Sequence, residues 1–144
     1  VYKRQEQPQL RADIARCKHA GARVSLFMDP TVEQMAAAAD HGADRVEFYT
    51  GPYAQVYWQY GPDDARTQTC YRQFAEAAEA ALKAGLGINA GHDLDQQNLP
   101  LFAGLPGLAE VSIGHAIICE ALNDGFPDTV AAYVAILDNA KRSV

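Results

Sequence analysis

Four short apolar runs recur along the chain, each bounded by glycine, proline or polar residues. They cover residues 24–29, 45–50, 87–92 and 110–113. Runs of this length, separated by segments with helical periodicity, are typical of buried strands that alternate with helices. Strict alternation with short connections favours a parallel sheet. The pattern therefore predicts an α/β fold in which four parallel strands carry helices on their outside.

Helical periodicity fills most of the segments between the runs. Leu10, Ile14 and Cys17 share one face of a first predicted helix, which places the cysteine in the core. Thr31 and Gln34 have the spacing of a capping box that would begin a second helix. Further helices are predicted over about residues 64–85, 98–102 and 116–122 and from about residue 127 towards the end of the chain.

One connection is longer than the others and carries the sequence GPYAQVYWQYGPDD, from residue 51 to residue 64. Its aromatic residues, 53–60, stand between two Gly-Pro pairs, which cannot continue the preceding strand. We predict a functional or interface loop above the sheet. An interaction module that binds through this aromatic loop is therefore one hypothesis for the chain.

Polar and small residues follow every predicted strand. They are Asp29, then Thr50 and Gly51, then His92 and Asp93, then Gly114 and His115. In parallel α/β folds, and in (β/α)8 barrels above all, ligands bind at the carboxyl ends of the strands. The sequence therefore predicts a ligand site at this edge of the sheet.

Two of the candidates have side chains suited to proton transfer or charge stabilisation. Imidazole as a side-chain type exchanges protons near neutral pH, so His92 could move a proton, or it could merely cap a loop. Glu47 alternates with Val46 and Phe48, which places its carboxylate on the opposite face of a central strand. A carboxylate there is costly unless it is paired or functional, whereas on an edge strand it would simply be solvated.

A second group of candidates could bind an anion or a metal. Gly114 and His115 stand between a strand and a helix, where backbone N–H groups and the helix dipole favour an anion. A metal site formed by His92, Asp93 and His115, with Cys119 as a further ligand, is the weaker alternative, because the motif spacings of known zinc sites are absent.

Net charge, the length of the apolar runs and the cysteine pattern limit the kinds of partner and the compartment. The net charge of −6 argues against nucleic acid or an anionic membrane surface as a main partner. No run is long and apolar enough to span a bilayer. Three widely spaced cysteines without a CxxC pair are typical of a reducing compartment, so we expect a cytoplasmic protein.

Four stretches together resemble the C-terminal half of the pyridoxine 5′-phosphate synthase family. They are GARVSLFMDP, RVEFYTGPYA, GINAGHDLDQQNL and EVSIGHAII. The resemblance implies a (β/α)8 TIM barrel with extra helices, assembled as a homo-octamer. It also implies the condensation of 1-deoxy-D-xylulose 5-phosphate with 3-amino-2-oxopropyl phosphate in vitamin B6 biosynthesis. No metal and no organic cofactor are implied.

The same resemblance implies a role for each candidate. His92 matches the family's proton-donor histidine, and Glu47 matches the glutamate that stabilises the transition state. Asp93, Gly114 and His115 match positions that hold the phosphorylated aminoketone. Some members of the family have glycine at the position of Asp93, which implies that this contact is made by the backbone.

The resemblance covers only half of such a barrel. We expect residues 1–144 to be a partial TIM-barrel domain whose N-terminal half is missing, with residues 1–5 not native. A further catalytic histidine and glutamate are expected upstream, because His19 and His41 lie in helical or linking segments. Another phosphate-binding barrel enzyme, an aldolase or an isomerase, stays open as a hypothesis. The isolated half is expected to expose an apolar inner face that includes Glu47 and alternate residues of the first and last strands.

Overall fold

The computed structural model of the chain describes residues 8–142. Within that range, helices and strands follow one another in the order α1 (Pro8–His19), β1 (Ser25–Met28), α2 (Val32–Asp40), β2 (Arg45–Tyr49), α3 (Gly51–Tyr60), α4 (Ala65–Lys83), β3 (Gly87–Gly91), α5 (Leu99–Phe102), β4 (Leu108–Ser112), α6 (His115–Asp124) and α7 (Phe126–Arg142). Residues 1–5, which we expect not to be native, lie outside the described residues.

The strands form one parallel sheet in the order β1-β2-β3-β4, so strands that are consecutive in sequence are neighbours in space. At least one helix connects each strand to the next, as parallel pairing requires. Sequential parallel strands flanked by helices are compatible with half of a TIM barrel. The predicted fold class is confirmed, with strand bounds shifted by one or two residues.

One face of the sheet is buried under the helices. Its central side chains are fully excluded from solvent: Val46, Phe48, Ile88 and Ala90. They pack against buried residues of α2 and α4, among them Met35 and Phe74, with the rings of Phe48 and Phe74 edge to face. Because Phe48 is fully buried at the centre of this cluster, its truncation to alanine should cost about 3–5 kcal/mol of stability.

The opposite face of the sheet is polar rather than apolar. The strand register places Phe27 beside Glu47, and Glu47 beside Asn89. Phe27 is 59% exposed, lies beside Glu47 of β2 and has the ring of Tyr49 at 5.6 Å between centroids. The prediction of an apolar inner face was therefore wrong, because Arg45, Glu47 and Asn89 occupy alternate positions of the two central strands on this face.

The aromatic segment, residues 53–60, is not a loop but most of helix α3. Pro52 stands in the first turn, where its fixed φ and missing N–H suit a helix start. Gly61 ends the helix with a φ of 86°, in the left-handed region that glycine favours. The Gly-Pro pairs thus delimit a helix, and Tyr53 on its inner side is fully buried.

Two smaller predictions also fail. The Thr31 side chain caps nothing, because the N–H of Gln34 donates to the Thr31 backbone carbonyl at 2.9 Å instead. Cys17 is exposed, since only Ile14 of the predicted α1 stripe is buried. Helix α4 begins where the sequence predicts it, and the Asp64 side chain caps it by accepting from the N–H of Arg66.

Candidate active site

An open cleft of about 920 Å³ lies at the carboxyl ends of the strands. All five predicted site residues line it: Glu47, His92, Asp93, Gly114 and His115. They come from β2, from the turn after β3 and from the start of α6. The parallel sheet brings them together because every strand ends at the same edge.

The backbone turns sharply at the two residues that follow β3. His92 has a φ of 85° and Asp93 a φ of 58°, and they are the non-glycine residues of the described chain with positive φ. Such conformations are strained for residues with a Cβ and occur preferentially at functional sites. The turn leaves both side chains more than half exposed to the cleft, with His92 Nδ1 at 3.0 Å from Asp93 Oδ2.

Thr50, the residue after β2, anchors this turn from the neighbouring strand. Its hydroxyl group is fully buried and lies 2.5 Å from the carbonyl oxygen of Gly91 and also against that of His92. The ring of Tyr49 stands edge-on to the His92 imidazole, with 5.2 Å between centroids. The histidine is thus held through its backbone and by the ring of Tyr49, while 58% of its side chain stays exposed.

The two small residues before His92, Ala90 and Gly91, have different surroundings. Ala90 faces the helices and is part of the core. Gly91 lies on the Glu47 side of the sheet, where a Cβ would come within 2.9 Å of Glu47 Oε1 and 3.0 Å of the Ser112 carbonyl oxygen. A side chain at this position would have to displace the Glu47 carboxylate and press on the Ser112 backbone, so glycine fits there without adjustment. Within the described residues the carboxylate makes no hydrogen bond or ion pair, so it stays available to a ligand.

The start of α6 forms the opposite wall of the cleft. Gly114 is the N-cap residue, and no side chain caps the helix. The first N–H groups of a helix have no partner within the helix and carry its positive dipole end, so they suit an anion. His115 is exposed, and its Nε2 lies 3.4 Å from Cys119 Sγ one turn later.

Among residues 8–142, no three His, Cys, Asp or Glu side chains converge as metal ligands. The metal hypothesis for His92, Asp93 and His115 therefore has no geometric support in the described structure. In the same range, no helix is long and apolar enough to cross a membrane.

Comparison with known proteins decides the family. The family model described as "Pyridoxal phosphate biosynthesis protein PdxJ" matches residues 2–139. The chain belongs to this family. Among its relatives is a pyridoxine 5′-phosphate synthase of Xanthomonas oryzae pv. oryzae, 53% identical over 134 residues, which are 92% of this chain and 51% of the relative. The Xylella fastidiosa synthase is 49% identical over 140 residues, covering 96% and 52% of the two chains.

This member of the PdxJ family spans about half the length of those relatives. Sequence reasoning found the residues that follow the strands but missed Thr50 as an anchor of the turn. The signal was present, because a buried hydroxyl at a strand end needs a partner, and the neighbouring strand supplies one.

Proposed function

We propose that the chain is the C-terminal half of a pyridoxine 5′-phosphate synthase. The complete enzyme would condense 1-deoxy-D-xylulose 5-phosphate with 3-amino-2-oxopropyl phosphate to give pyridoxine 5′-phosphate, inorganic phosphate and water. The observation that carries the proposal is the convergence of Glu47, His92, Asp93, Gly114 and His115 on one cleft, in a chain 53% identical to a synthase of that name.

In this proposal His92 donates a proton to an oxygen that leaves as water. With Nδ1 facing Asp93, Nε2 is the nitrogen that remains to exchange a proton with a ligand. An imidazole suits the task because its protonated and neutral forms are both populated near neutral pH. Glu47 faces the same cleft, and its carboxylate stabilises the positive charge that develops on the amine-bearing substrate in the transition state.

The start of α6 holds the phosphate of the aminoketone substrate. Gly114 has open space around its α-carbon, so a phosphate oxygen can approach the backbone closely. The unpaired N–H groups that follow it donate to the anion, and His115 adds a side chain at the rim. Asp93 contributes its backbone, which explains how glycine can serve at the same position in relatives.

The missing half would supply the other catalytic groups and most of the deoxyxylulose phosphate site. Residues 1–144 are then a partial domain and have no synthase activity alone, because a transition state requires its groups to be assembled beforehand on both sides. The whole enzyme is a homo-octamer in this proposal, as the family resemblance implies, and it is cytoplasmic, as the widely spaced cysteines without a CxxC pair indicate. It uses no cofactor or metal ion.

The alternative hypotheses lose support. An interaction module would bind through the aromatic side chains of α3, of which Tyr53 is fully buried, while Trp58, 54% exposed, donates its indole N–H to Asp95 of the same chain. An aldolase or isomerase of the barrel class commonly needs a strand-end lysine or a carboxylate base, and no described strand ends in lysine.

Genetic complementation tests the proposal. The half of the Xanthomonas oryzae synthase that this chain does not match is fused ahead of it, giving a fusion enzyme. The fusion enzyme should restore growth without vitamin B6 to a bacterium that lacks the synthase, and the 144-residue chain should not. Growth supported by the chain alone, or no growth with a folded fusion enzyme, would refute the proposal.

A further inference from the structure

The segment after the His92–Asp93 turn is closed by a reciprocal pair of side chains. Asp95 Oδ1 accepts from the N–H groups of Gln97 at 2.8 Å and of Asn98 at 2.9 Å. Asn98 Oδ1 in turn accepts from the N–H of Asp95 at 3.0 Å. Each side chain therefore satisfies the backbone of the other, which fixes the conformation of residues 95–98.

The amide of Asn98 also connects this segment to the site. Its Nδ2 donates to the backbone carbonyl of Asp93 at 3.0 Å and to Asp95 Oδ2 at 3.2 Å. The Asn98 side chain is fully buried, and both its hydrogens and its oxygen are engaged. A side chain that is buried and fully bonded has one orientation, so it holds the Asp93 carbonyl at a fixed place.

Helix α3 clamps the same segment from outside. The Tyr53 hydroxyl donates to the carbonyl of Asn98 at 2.7 Å, and the Tyr57 hydroxyl donates to that of Gln97 at 2.6 Å. The Trp58 indole N–H donates to Asp95 Oδ2 at 3.0 Å. The polar groups of all three α3 side chains therefore donate hydrogen bonds to the segment that follows the predicted proton donor.

These contacts can enforce the strained backbone conformation of His92 and Asp93. Left-handed conformations of non-glycine residues persist only where the surroundings enforce them. Thr50 fixes the turn on its upstream side through the carbonyls of Gly91 and His92. Asn98 is the side chain that fixes it downstream, through the carbonyl of Asp93.

We propose that Asn98, Tyr53, Tyr57 and Trp58 are positioning residues that hold the His92–Asp93 turn in its left-handed conformation and so aim His92 at the substrate. We call these four side chains the brace. The inference rests on the proposed function and extends it to residues that do not act on the substrate themselves. A misplacement of a catalytic group by about 1 Å can cost about 10²-fold in rate.

Kinetics of the fusion enzyme test the brace first. Asn98→Ser removes both Nδ2 contacts, so kcat should fall about 10- to 100-fold, while the KM values for the two phosphorylated substrates change far less. The matched control is Asn123→Ser, which makes the same change at an exposed position of α6 outside the cleft. A kcat equal to that of the control would overturn the proposal.

A rescue experiment separates positioning from general stabilisation. Glycine adopts positive φ without strain, so Asp93→Gly should reduce the need for the brace. Asn98→Ser should therefore cost a smaller factor in kcat when it is introduced into the Asp93→Gly enzyme than when it is introduced into the wild-type enzyme. Equal factors in the two backgrounds would mean that Asn98 does not act through the turn.

Tyr57→Phe, which removes one donor and keeps the ring, should lower kcat less than Asn98→Ser does. Tyr71→Phe is its control, because Tyr71 is a tyrosine of α4 whose hydroxyl does not bond to the segment. A drop in kcat that is as large for Tyr71→Phe would remove α3 from the brace.

The last readout is independent of turnover, so it distinguishes failure of the brace from failure of the proposed function. Trp58 is the single tryptophan of the 144-residue chain and donates to Asp95 within the brace. Its fluorescence emission should shift in the Asn98→Ser chain and not in the Asn123→Ser chain. If the fusion enzyme is inactive while this shift occurs, the proposed function fails and the brace stands. An unchanged emission overturns the brace even if the enzyme is active.

Discussion

The charged side chains at the two ends of the sheet differ in whether they have partners within the chain. At the amino ends of the strands, Arg45 Nη1 lies 3.0 Å from Glu110 Oε1 and 2.8 Å from Asn89 Oδ1, and Arg23 shares the same glutamate at 3.0 Å. At the carboxyl ends, by contrast, Glu47 makes no such contact within the described chain, and His92 is more than half exposed.

This difference separates stability from function. Charges that bind one another, as at the amino ends, can contribute to folding but have nothing left to offer a ligand. The Glu47 carboxylate, which has no such partner among the described residues, contributes little to folding and is held there by other parts of the structure. In barrel enzymes the two ends divide the same way, with stability at the amino end and chemistry at the carboxyl end.

Removal of the imidazole at the carboxyl end should have the largest effect. In the fusion enzyme, His92→Asn should lower kcat by about 10²–10⁴-fold, the usual contribution of a positioned acid. The melting temperature should stay near the wild-type value because the side chain is 58% exposed. A nearly unchanged kcat would make His92 a structural residue of the turn.

A methyl group added beside Glu47 should have the next largest effect. In Gly91→Ala the new Cβ meets Glu47 Oε1 at 2.9 Å, so the carboxylate must move and kcat should fall about 10- to 100-fold. Gly104→Ala is the control, since its nearest contacts are at 3.4 Å. If steady-state kinetics show the same kcat for both variants, the close approach of Glu47 has no functional consequence.

At the amino end, a substitution should change stability and not chemistry. Arg45→Met leaves the buried Asn89 oxygen without its donor, which should cost about 1–3 kcal/mol in the free energy of unfolding. Urea denaturation of the fusion enzyme measures this, with the exposed Arg72→Met as the control. A fall in kcat without a loss of stability would erase the proposed division between the two ends.

The smallest effect concerns pH at the amino end. The hydrogen bond from Lys18 and then that from the Val24 N–H hold the pKa of Asp44 below its ordinary value of 3.8. A lowered pKa in the folded state stabilises the protein above the ordinary pKa, and this contribution is lost as the pH falls through the folded pKa. The difference in melting temperature between wild type and Asp44→Asn should therefore shrink below about pH 4. A difference that stays constant on acidification would contradict this.

The strands and the place of the site could be predicted from sequence because both depend on local patterns. Alternation identified β2 and put Glu47 on the face opposite Phe48, as the structure has it. The rule that ligands bind at strand carboxyl ends then pointed to His92 and His115, which do line one cleft. Neither step required knowledge of a distant contact.

The brace and the paired charges could not be predicted, because their partners are far apart in sequence. Tyr53 is 45 positions from Asn98, and Arg23 is 87 positions from Glu110. The prediction of a loop in place of helix α3 failed for a different reason. A Gly-Pro pair is compatible with a turn or with a helix start, and the burial of Tyr53 that favours the helix depends on the tertiary structure.

Turnover by purified proteins tests the central claim most directly. Formation of pyridoxine 5′-phosphate from the two phosphorylated substrates is measured for the 144-residue chain, the fusion enzyme, and the fusion enzyme with His92→Asn or with His19→Asn, a control at the exposed end of α1. We predict product only from the fusion enzyme and its His19→Asn variant. Turnover by the chain alone, or full turnover without His92, would contradict the claim that these strands carry half of a synthase site.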